Sequence, residues 1–192
     1  MTLRLAGSTS GYTEIDAPAV AGSNTLTLPT GNGTSGQVLS TNGSGALSWA
    51  NGATTGPAFS AYATSNQSIT DSAFTKITFD TEEFDTANCF ASSRFTPTVA
   101  GYYQFVGCIN LAVSSATGVT FLSFYKNGSE FKRGSQIPNT TGNVQPNSTA
   151  LMYLNGSTDY VELYAYQNNG GARNTANGQT QIYFQGFLAR PA

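Results

Sequence analysis

The sequence predicts an all-β protein: a sandwich of two antiparallel sheets with about eight to ten strands, preceded by an extended N-terminal arm. Ser, Thr, Asn and Gly make up 83 of the 192 residues, a composition poor in strong helix formers. Residues 57–192 contain repeated short runs in which large apolar side chains alternate with small or polar ones, which is typical of half-buried strands. No amphipathic helical pattern of useful length accompanies them.

The chain changes composition near Gly56-Pro57. Of the 23 aromatic residues, 21 follow that point, and residues 17–70 carry no Asp, Glu, Lys or Arg. We therefore predict two parts: an extended arm over residues 1–56, used for attachment and assembly, and a folded domain over residues 57–192.

The arm contains glycine-rich clusters such as TGNGTSG and TNGSG around short alternating pieces, a pattern typical of very short strands joined by tight turns. Ordering 56 backbone residues costs roughly 56–112 kcal/mol, and few large apolar groups are present to offset this. The arm is therefore expected to pack against other chains or the following domain, and a flexible linker is the alternative. The apolar residues predicted to anchor it are Leu3, Leu5, Leu26, Leu28, Val38, Leu39, Leu47 and Trp49.

Seven strand-like runs follow the arm, at 58–64, 74–80, 101–113, 119–128, 148–156, 160–167 and 179–190. Asn127-Gly128 is the strongest hairpin signal in the chain. A tight two-residue turn needs a positive φ angle at both positions, and Asn followed by Gly accepts these angles best. In the run 160–167, Tyr164 and Tyr166 fall on one face and Leu163 and Ala165 on the other.

The charge and histidine content exclude several functions. The sequence has no His, which excludes Ser-His and Cys-His catalytic pairs, imidazole metal ligands and a histidine pH switch. Eight Lys and Arg against ten Asp and Glu leave too little positive charge to follow a phosphate backbone. No G-x-S-x-G or phosphate-binding glycine motif occurs. We therefore expect no enzyme, no cofactor and no nucleic-acid partner.

One acidic cluster, FDTEEFDT, contains Asp80, Glu82, Glu83 and Asp85. It is interpreted as a solvated connection whose charges keep a sheet edge from pairing with other proteins. A cation site or interchain contact, and a carboxylate pair for glycosidic hydrolysis, are the alternatives. The spacing lacks the pattern of a dedicated calcium loop, and no metal site is predicted.

The N-terminus lacks the apolar run of a secretory signal, and no segment approaches the ~20 apolar residues that span a membrane. We therefore expect assembly in a cytoplasm and no membrane partner. In that reducing compartment Cys89 and Cys108 are expected to be buried free thiols, with a disulfide or a functional thiol as alternatives.

The segment RFTPTVAGYYQFVGCINL resembles a part of the complement-component-1q and tumour-necrosis-factor-like jelly rolls, at Phe95, Pro97, Gly101, Tyr103 and Phe105. FLSFYKNGSEF resembles that family's strand–Asn-Gly–strand hairpin, and IYFQGFLAR resembles its closing Phe-x-Gly-Phe strand. LNGSTDYVELYAY departs from the family's Gly-Asp turn, because Ser157-Thr158 separates Gly156 from Asp159. The resemblance implies a ten-stranded jelly roll that assembles as a tight trimer around an aromatic-rich axis.

The arm is similar to a segment common in tailed-bacteriophage virion proteins, over APAVAGSNTLTLPTGNGTSGQVLSTNGSGALSWANG. There that segment precedes a C-terminal fibre or head domain. The collagen-like stalk frequent in the animal complement family is absent, since no Gly-X-Y period occurs. This departure favours a phage protein over a secreted animal protein.

Aromatic residues are more numerous than the core of one small sandwich needs, and Phe and Tyr favour interfaces. We therefore divide them between the protomer core and a trimer interface, with a carbohydrate-stacking platform as an alternative. The residues predicted at the trimer interface are Tyr102, Tyr103, Phe105, Phe121, Tyr164, Tyr166, Phe184 and Phe187.

Together these features predict a non-enzymatic virion structural protein of a tailed phage, a homotrimeric capsid decoration or cement protein assembled in the host cytoplasm. Because the chain begins directly at the arm, we expect the arm to anchor it to the major capsid protein or another virion protein. The alternative is a tail- or head-fibre tip that binds a host receptor or glycan, for example through the loop 167–179. A tailspike depolymerase is a third interpretation, for which the chain is short.

Overall fold

The structure, a computed structural model, describes residues 3–16, 18–20, 22–51, 56–114 and 117–192, which form strands and connecting loops without a helix. The all-β class predicted from the sequence is confirmed. The described residues contain no helix that is long and apolar enough to cross a membrane. The chain forms two compact units, Met1–Thr54 and Thr55–Ala192. Residues 52–55, next to the predicted boundary, lie outside the described part.

The first unit contains two antiparallel hairpins: β1 (Leu3–Ala6) with β2 (Tyr12–Ile15), and β3 (Gln37–Thr41) with β4 (Leu47–Asn51). In the first hairpin, Arg4 forms an ion pair with Glu14 and lies 4.0 Å from the ring centre of Tyr12. Leu3 and Leu5 alternate with Arg4 along β1, and Leu3 lies opposite Ile15 on β2. The hairpin therefore has one charged face and one apolar face, and its Leu and Ile side chains are exposed.

The second hairpin is organised around Trp49. Its indole Nε1 donates a hydrogen bond of 2.7 Å to the carbonyl oxygen of Gly31. A Cβ added to Gly33 would lie 2.6 Å from the Trp49 ring, so glycine is required for this close approach. The segment around Gly31 and Gly33 therefore packs directly on the indole.

Gly33→Ala is expected to displace the Trp49 indole and shift its fluorescence emission to longer wavelength, because the added methyl group overlaps the ring. Trp49 is the only tryptophan of the chain, so the emission reports on this contact alone. The matched control is Gly31→Ala, since a Cβ at Gly31 meets nothing within 4 Å. An unchanged Gly33→Ala spectrum would contradict the packing.

The second unit is a sandwich of two antiparallel sheets, as predicted. Its strands are β5 (Ala58–Tyr62), β6 (Ser68–Ile69), β7 (Thr75–Lys76), β8 (Thr81–Asp85), β9 (Phe90–Ala91), β10 (Arg94–Phe95), β11 (Gly101–Cys108), β12 (Leu111–Val113), β13 (Val119–Lys126), β14 (Ser129–Arg133), β15 (Ile137–Pro138), β16 (Gly142–Val144), β17 (Asn147–Leu154), β18 (Val161–Gln167), β19 (Arg173–Asn174) and β20 (Tyr183–Pro191). Sheet I has the order β14-β13-β18-β10-β9, with β15 on β13 and β7 on β18, and sheet II has the order β17-β11-β20-β5-β8. Two ribbons, β12 with β16 and β19 with β6, complete the unit.

The sixteen strands of this unit among the described residues exceed the predicted eight to ten. Six of them have only two residues: β7, β9, β10 and β15 belong to sheet I, and β6 and β19 form a ribbon. The predicted run 74–80 forms only β7, and the acidic cluster, interpreted as a connection, contains strand β8. Alternation in these short segments was too brief to separate strands from loops.

The Asn127-Gly128 hairpin is confirmed, since Lys126 pairs with Ser129 across a two-residue turn. Asn127 and Gly128 have φ angles of 53° and 82°, both in the left-handed region that this turn requires. The Asn127 side chain donates a hydrogen bond of 2.7 Å to Asp159 and accepts one of 2.9 Å from the Tyr160 backbone N–H. These bonds hold the turn against the loop before β18.

The core between the sheets is dominated by phenylalanine. Phe59 stacks on Phe90 and on Phe95, each with ring centres 4.7 Å apart, and meets Phe184 edge-on at 4.9 Å. A Cβ on Gly186 would lie 2.5 Å from the ring of Phe105, so glycine at this position lets that ring lie against β20. Alternate residues of β11 and β17 supply the sheet II side of this core.

Candidate functional site

The face of sheet II that points away from the core is apolar and exposed. In β11 and β17 the burial of side chains alternates strictly over most of the strand, so Tyr102 on β11 and Leu151 and Tyr153 on β17 point outward. The same face carries Phe187 of β20 and Phe84 of β8. Three of its strands are adjacent, and polar side chains separate the apolar ones. Gln104 lies between Leu151 and Phe187 in the register, and Ser60 of β5 lies beside Phe84.

Five large side chains on this face are about half exposed: Tyr102 at 44%, Leu151 at 54%, Tyr153 at 44%, Phe187 at 51% and Phe84 at 49%. Tyr102 and Tyr153 are cross-strand partners with ring centres 5.6 Å apart. Because exposed apolar patches of this extent are rare on monomers, the face is a candidate for contact with another protein.

Two shallow depressions lie on this face. One is lined by Tyr102, Leu151 and Arg190 together with the C-terminal residues of β20. The other is lined by Phe84, Val106 and Phe187. Each depression could receive an apolar side chain from a partner, because each has an aromatic wall and a largely apolar lining.

The residues predicted at the trimer interface lie in three different places. Tyr102 and Phe187 lie on the outward face of sheet II. Tyr103, Phe105 and Phe184 are fully buried between the sheets, so they belong to the core of the protomer and offer no surface to a partner. The Tyr103 hydroxyl donates a hydrogen bond of 2.7 Å to the Val99 carbonyl oxygen, and burial raises its pKa to about 12.

Phe121, Tyr164 and Tyr166 lie on the outward face of sheet I, away from the other five. With Phe74 and Tyr125 they form an aromatic cluster, in which Phe121 stacks on Tyr166 at 4.9 Å and Tyr125 on Tyr164 at 3.9 Å. The Arg133 guanidinium lies 4.6 Å from the ring centre of Phe121, and Glu130 holds it through two hydrogen bonds of 2.7 Å. The cluster attaches the Phe74 loop to sheet I, since Phe74 contacts Phe121, Tyr125 and Tyr166.

Beside this cluster lies Glu162, a buried carboxylate on β18. It accepts hydrogen bonds from Lys76 at 2.7 Å and from Arg94 at 2.9 Å. Burial alone would raise the pKa of Glu162, but the bonds from Lys76 and Arg94 outweigh it and hold the pKa below its ordinary value. Lys76, Arg94 and Glu162 thus join β7, β10 and β18, and their role is structural.

Glu162→Gln is expected to lower the free energy of unfolding by about 1–3 kcal/mol at neutral pH, because two cations lose a charged acceptor. Because the pKa of Glu162 is lower in the folded state than in the unfolded state, its ionised form stabilises the fold. This stabilisation is present above the unfolded-state pKa of about 4.3 and is lost as the pH falls through the folded-state pKa. The difference between wild type and variant should therefore shrink below about pH 4, which denaturant unfolding across a pH series would measure. The control is Glu82→Gln, because Glu82 is an exposed carboxylate. If the difference in free energy of unfolding between wild type and Glu162→Gln did not change with pH, this account would be contradicted.

In the acidic cluster, Asp80, Glu83 and Asp85 accept hydrogen bonds within the protomer, that of Glu83 coming from the Ser60 hydroxyl at 2.5 Å. Asp80 accepts hydrogen bonds from the Thr64 backbone and hydroxyl, both at 2.8 Å, which hold its pKa below the ordinary value. Asp85 accepts a hydrogen bond of 2.7 Å from the Phe90 backbone. Glu82 and Glu83 are exposed on β8, the end strand of sheet II. No group of three or more potential ligands close enough for a metal ion occurs in the described parts of the chain.

Cys89 and Cys108 are separate, buried, free thiols. Burial raises the pKa of Cys108, although hydrogen bonds with Gln145 and Tyr183 partly counteract this. A buried thiol with a raised pKa is a poor nucleophile, so Cys108 has no feature of a reactive site.

The predicted anchoring residues of the arm all belong to the first unit. Seven of them are exposed: Leu3, Leu5, Leu26, Leu28, Val38, Leu39 and Trp49; Leu47 is half-buried. Most of these apolar side chains are thus left without cover from the described parts of the first unit.

Leu151, Tyr153 and Phe84 complete the outward face of sheet II and were missed by the sequence prediction. A signal was present in NSTALMYL, where Leu151 and Tyr153 alternate with Ala150, Met152 and Leu154. A strand that is apolar on both faces indicates burial on both faces. For Phe84 no such signal existed, because acidic residues surround it.

Comparison with solved structures places the sandwich in a known fold. The chain is similar to the globular domain of the zebrafish complement 1qA protein, with a TM-score of 0.55 and 19% identity, covering 71% of this chain and 99% of that one. It is also similar to murine APRIL (TM-score 0.51, 10% identity, 69% and 98% covered) and to Eiger TNF from S. frugiperda (0.53, 11%, 71% and 95%). No protein-family model and no curated protein sequence matches the chain. The predicted two-sheet jelly roll is confirmed for the second unit, whose fold is similar to that of these complement-component-1q and tumour-necrosis-factor-like domains.

Proposed function

We propose that this protein is a structural, non-enzymatic component of a tailed-phage virion: a homotrimer that decorates the capsid and is anchored through its N-terminal arm. The observation that carries the self-association is the apolar outward face of sheet II, with five large side chains about half exposed. A second and third copy of the chain would cover this face.

Two arguments support the homotrimer. The resemblance to the complement-component-1q and tumour-necrosis-factor-like jelly rolls implies assembly around an aromatic-rich axis, and Tyr102, Tyr153 and Phe187 supply aromatic side chains on one face. Identical chains also assemble most often with closed symmetry, in which each copy makes the same contacts.

Attachment to the virion is supported by the first unit. Residues 17–70 carry no charged side chain, so this part of the chain can lie against another protein with few charges to desolvate. The exposed Leu and Ile side chains of the first hairpin provide apolar contact area. The similarity of the arm to segments of tailed-phage virion proteins makes the capsid shell the proposed surface.

The trimer is tested by the native mass of the purified protein, which should be three times the chain mass of 20.1 kDa. A stable monomer would overturn it. Attachment is tested by counting copies of the protein in virions: hundreds of copies support capsid decoration. Deletion of residues 1–56 should leave the trimer intact and abolish incorporation into virions.

The second candidate is a fibre tip that binds a host receptor or glycan. It is favoured by the loop 167–179, which carries several uncharged amide side chains and exposes Asn174 and Asn177. Amide groups of this kind can hydrogen-bond sugar hydroxyls. A few to a few dozen copies per virion, together with binding of the purified protein to host cells, would favour this candidate over capsid decoration.

A further inference from the structure

The charged side chains of the second unit are distributed unequally over the two edges of the sandwich. At one edge lies β8, the end strand of sheet II, with Glu82 and Glu83 exposed. We call residues 80–85 the acidic edge. It contains four carboxylates, and no Lys or Arg occurs in residues 77–93.

The opposite edge carries aromatic side chains and one more basic than acidic side chain, with Lys126, Lys132 and Arg133 against Glu130 and Asp159. Here β14 ends sheet I and β17 ends sheet II. Lys126 Nζ donates a hydrogen bond of 2.8 Å to the Tyr153 carbonyl oxygen and lies 5.7 Å from the ring centre of Phe131, while Lys132 Nζ lies 5.6 Å from that ring. We call Lys126, Phe131, Lys132 and Tyr153 the basic edge.

Each edge combines one exposed phenylalanine with one charged side chain that has no ion-pair or hydrogen-bond partner among the described residues of the protomer. Phe84 and Phe131 are both 49% exposed. Glu82 and Lys132 form neither an ion pair nor a hydrogen bond within the described residues, whereas Lys126 is paired with Asp159 at 2.9 Å. Glu82 and Lys132 are therefore available for contact between molecules.

We propose that the acidic edge of one copy docks against the basic edge of the next copy of this chain. A twofold contact between two acidic edges would place Glu82 and Glu83 against their own copies, which repel each other, whereas unlike edges attract. A contact between two different surfaces is heterologous, and it closes into a ring when the rotation between copies allows. The inference rests on the homotrimer proposed above and adds a charged contact at the two edges that border the apolar face of sheet II.

The test uses Glu82→Lys, Lys132→Glu and the double variant, each followed by sedimentation over a dilution series. Each single variant is expected to weaken association at least about tenfold in low salt, because like charges then face each other. The loss should be smaller in about 0.5 M salt, where charges are screened. The double variant is expected to recover most of the affinity, because the two charges are exchanged.

The control is Asn143→Lys, which adds a positive charge at an exposed position of β16 and should leave association unchanged. Single variants that associate like the wild type, or a double variant no better than either single one, would overturn the docking of unlike edges. A monomeric wild type would instead overturn the homotrimer itself, so the two failures are distinguishable. Circular dichroism verifies that the variants fold.

Discussion

Leu151→Asp is expected to convert the proposed homotrimer into a monomer of 20.1 kDa. Leu151 is 54% exposed on β17, within the apolar face of sheet II, so the protomer itself tolerates a polar side chain there. A carboxylate buried at an interface without a partner costs several kcal/mol, and about 3 kcal/mol already weakens association more than a hundredfold. Native mass spectrometry or sedimentation measures the change.

The matched control is Asn143→Asp, which adds the same charge at an exposed position of β16, outside sheet II. This variant should remain trimeric. A folded Leu151→Asp protein that still has three times the chain mass would show that the apolar face of sheet II is not covered by other copies.

Phe105→Ala is expected to lower the free energy of unfolding by about 3–5 kcal/mol, through lost burial and an incompletely filled cavity. The Phe105 ring is fully buried, with the ring centres of Phe95 at 5.5 Å and Phe184 at 5.8 Å. Denaturant unfolding in the monomeric Leu151→Asp background measures this loss, since assembly would otherwise add to the apparent stability.

Phe131→Ala in the same background is the comparison for this measurement. Because Phe131 is 49% exposed, its removal should change the free energy of unfolding by no more than about 0.5 kcal/mol. Phe105→Ala could instead leave the free energy of unfolding unchanged and dissociate the proposed homotrimer. That result would show that Phe105 lies in the interface, as the sequence predicted.

Local sequence patterns predicted several elements correctly, because their physical causes are local. Alternation of large and small side chains identified β11, β13, β18 and most of β20. The Asn127-Gly128 turn followed from the left-handed backbone angles that these residues accept. The run 74–80 was predicted too long around β7, and β8 was taken as a connection, because pairing with distant strands, and not their own alternation, sets where these strands begin and end.

The candidate interface was predicted only in part. Tyr102 and Tyr103 are neighbours in β11, and alternation requires that they lie on opposite faces. It does not say which face meets the second sheet, and both residues were therefore assigned to the interface. The structure places Tyr102 outside and Tyr103 in the core.

The sequence alone determined the all-β class, the change of composition near residue 56, the main strands and the scarcity of charge in residues 17–70. Only the tertiary structure decided which aromatic side chains are core and which are surface, and that acidic and lysine-bearing strands form opposite edges of the sandwich. The physical reason is that the alternation of a strand specifies two faces but not their surroundings. Those surroundings depend on strand order and on the second sheet, which are set by contacts between residues far apart in the chain.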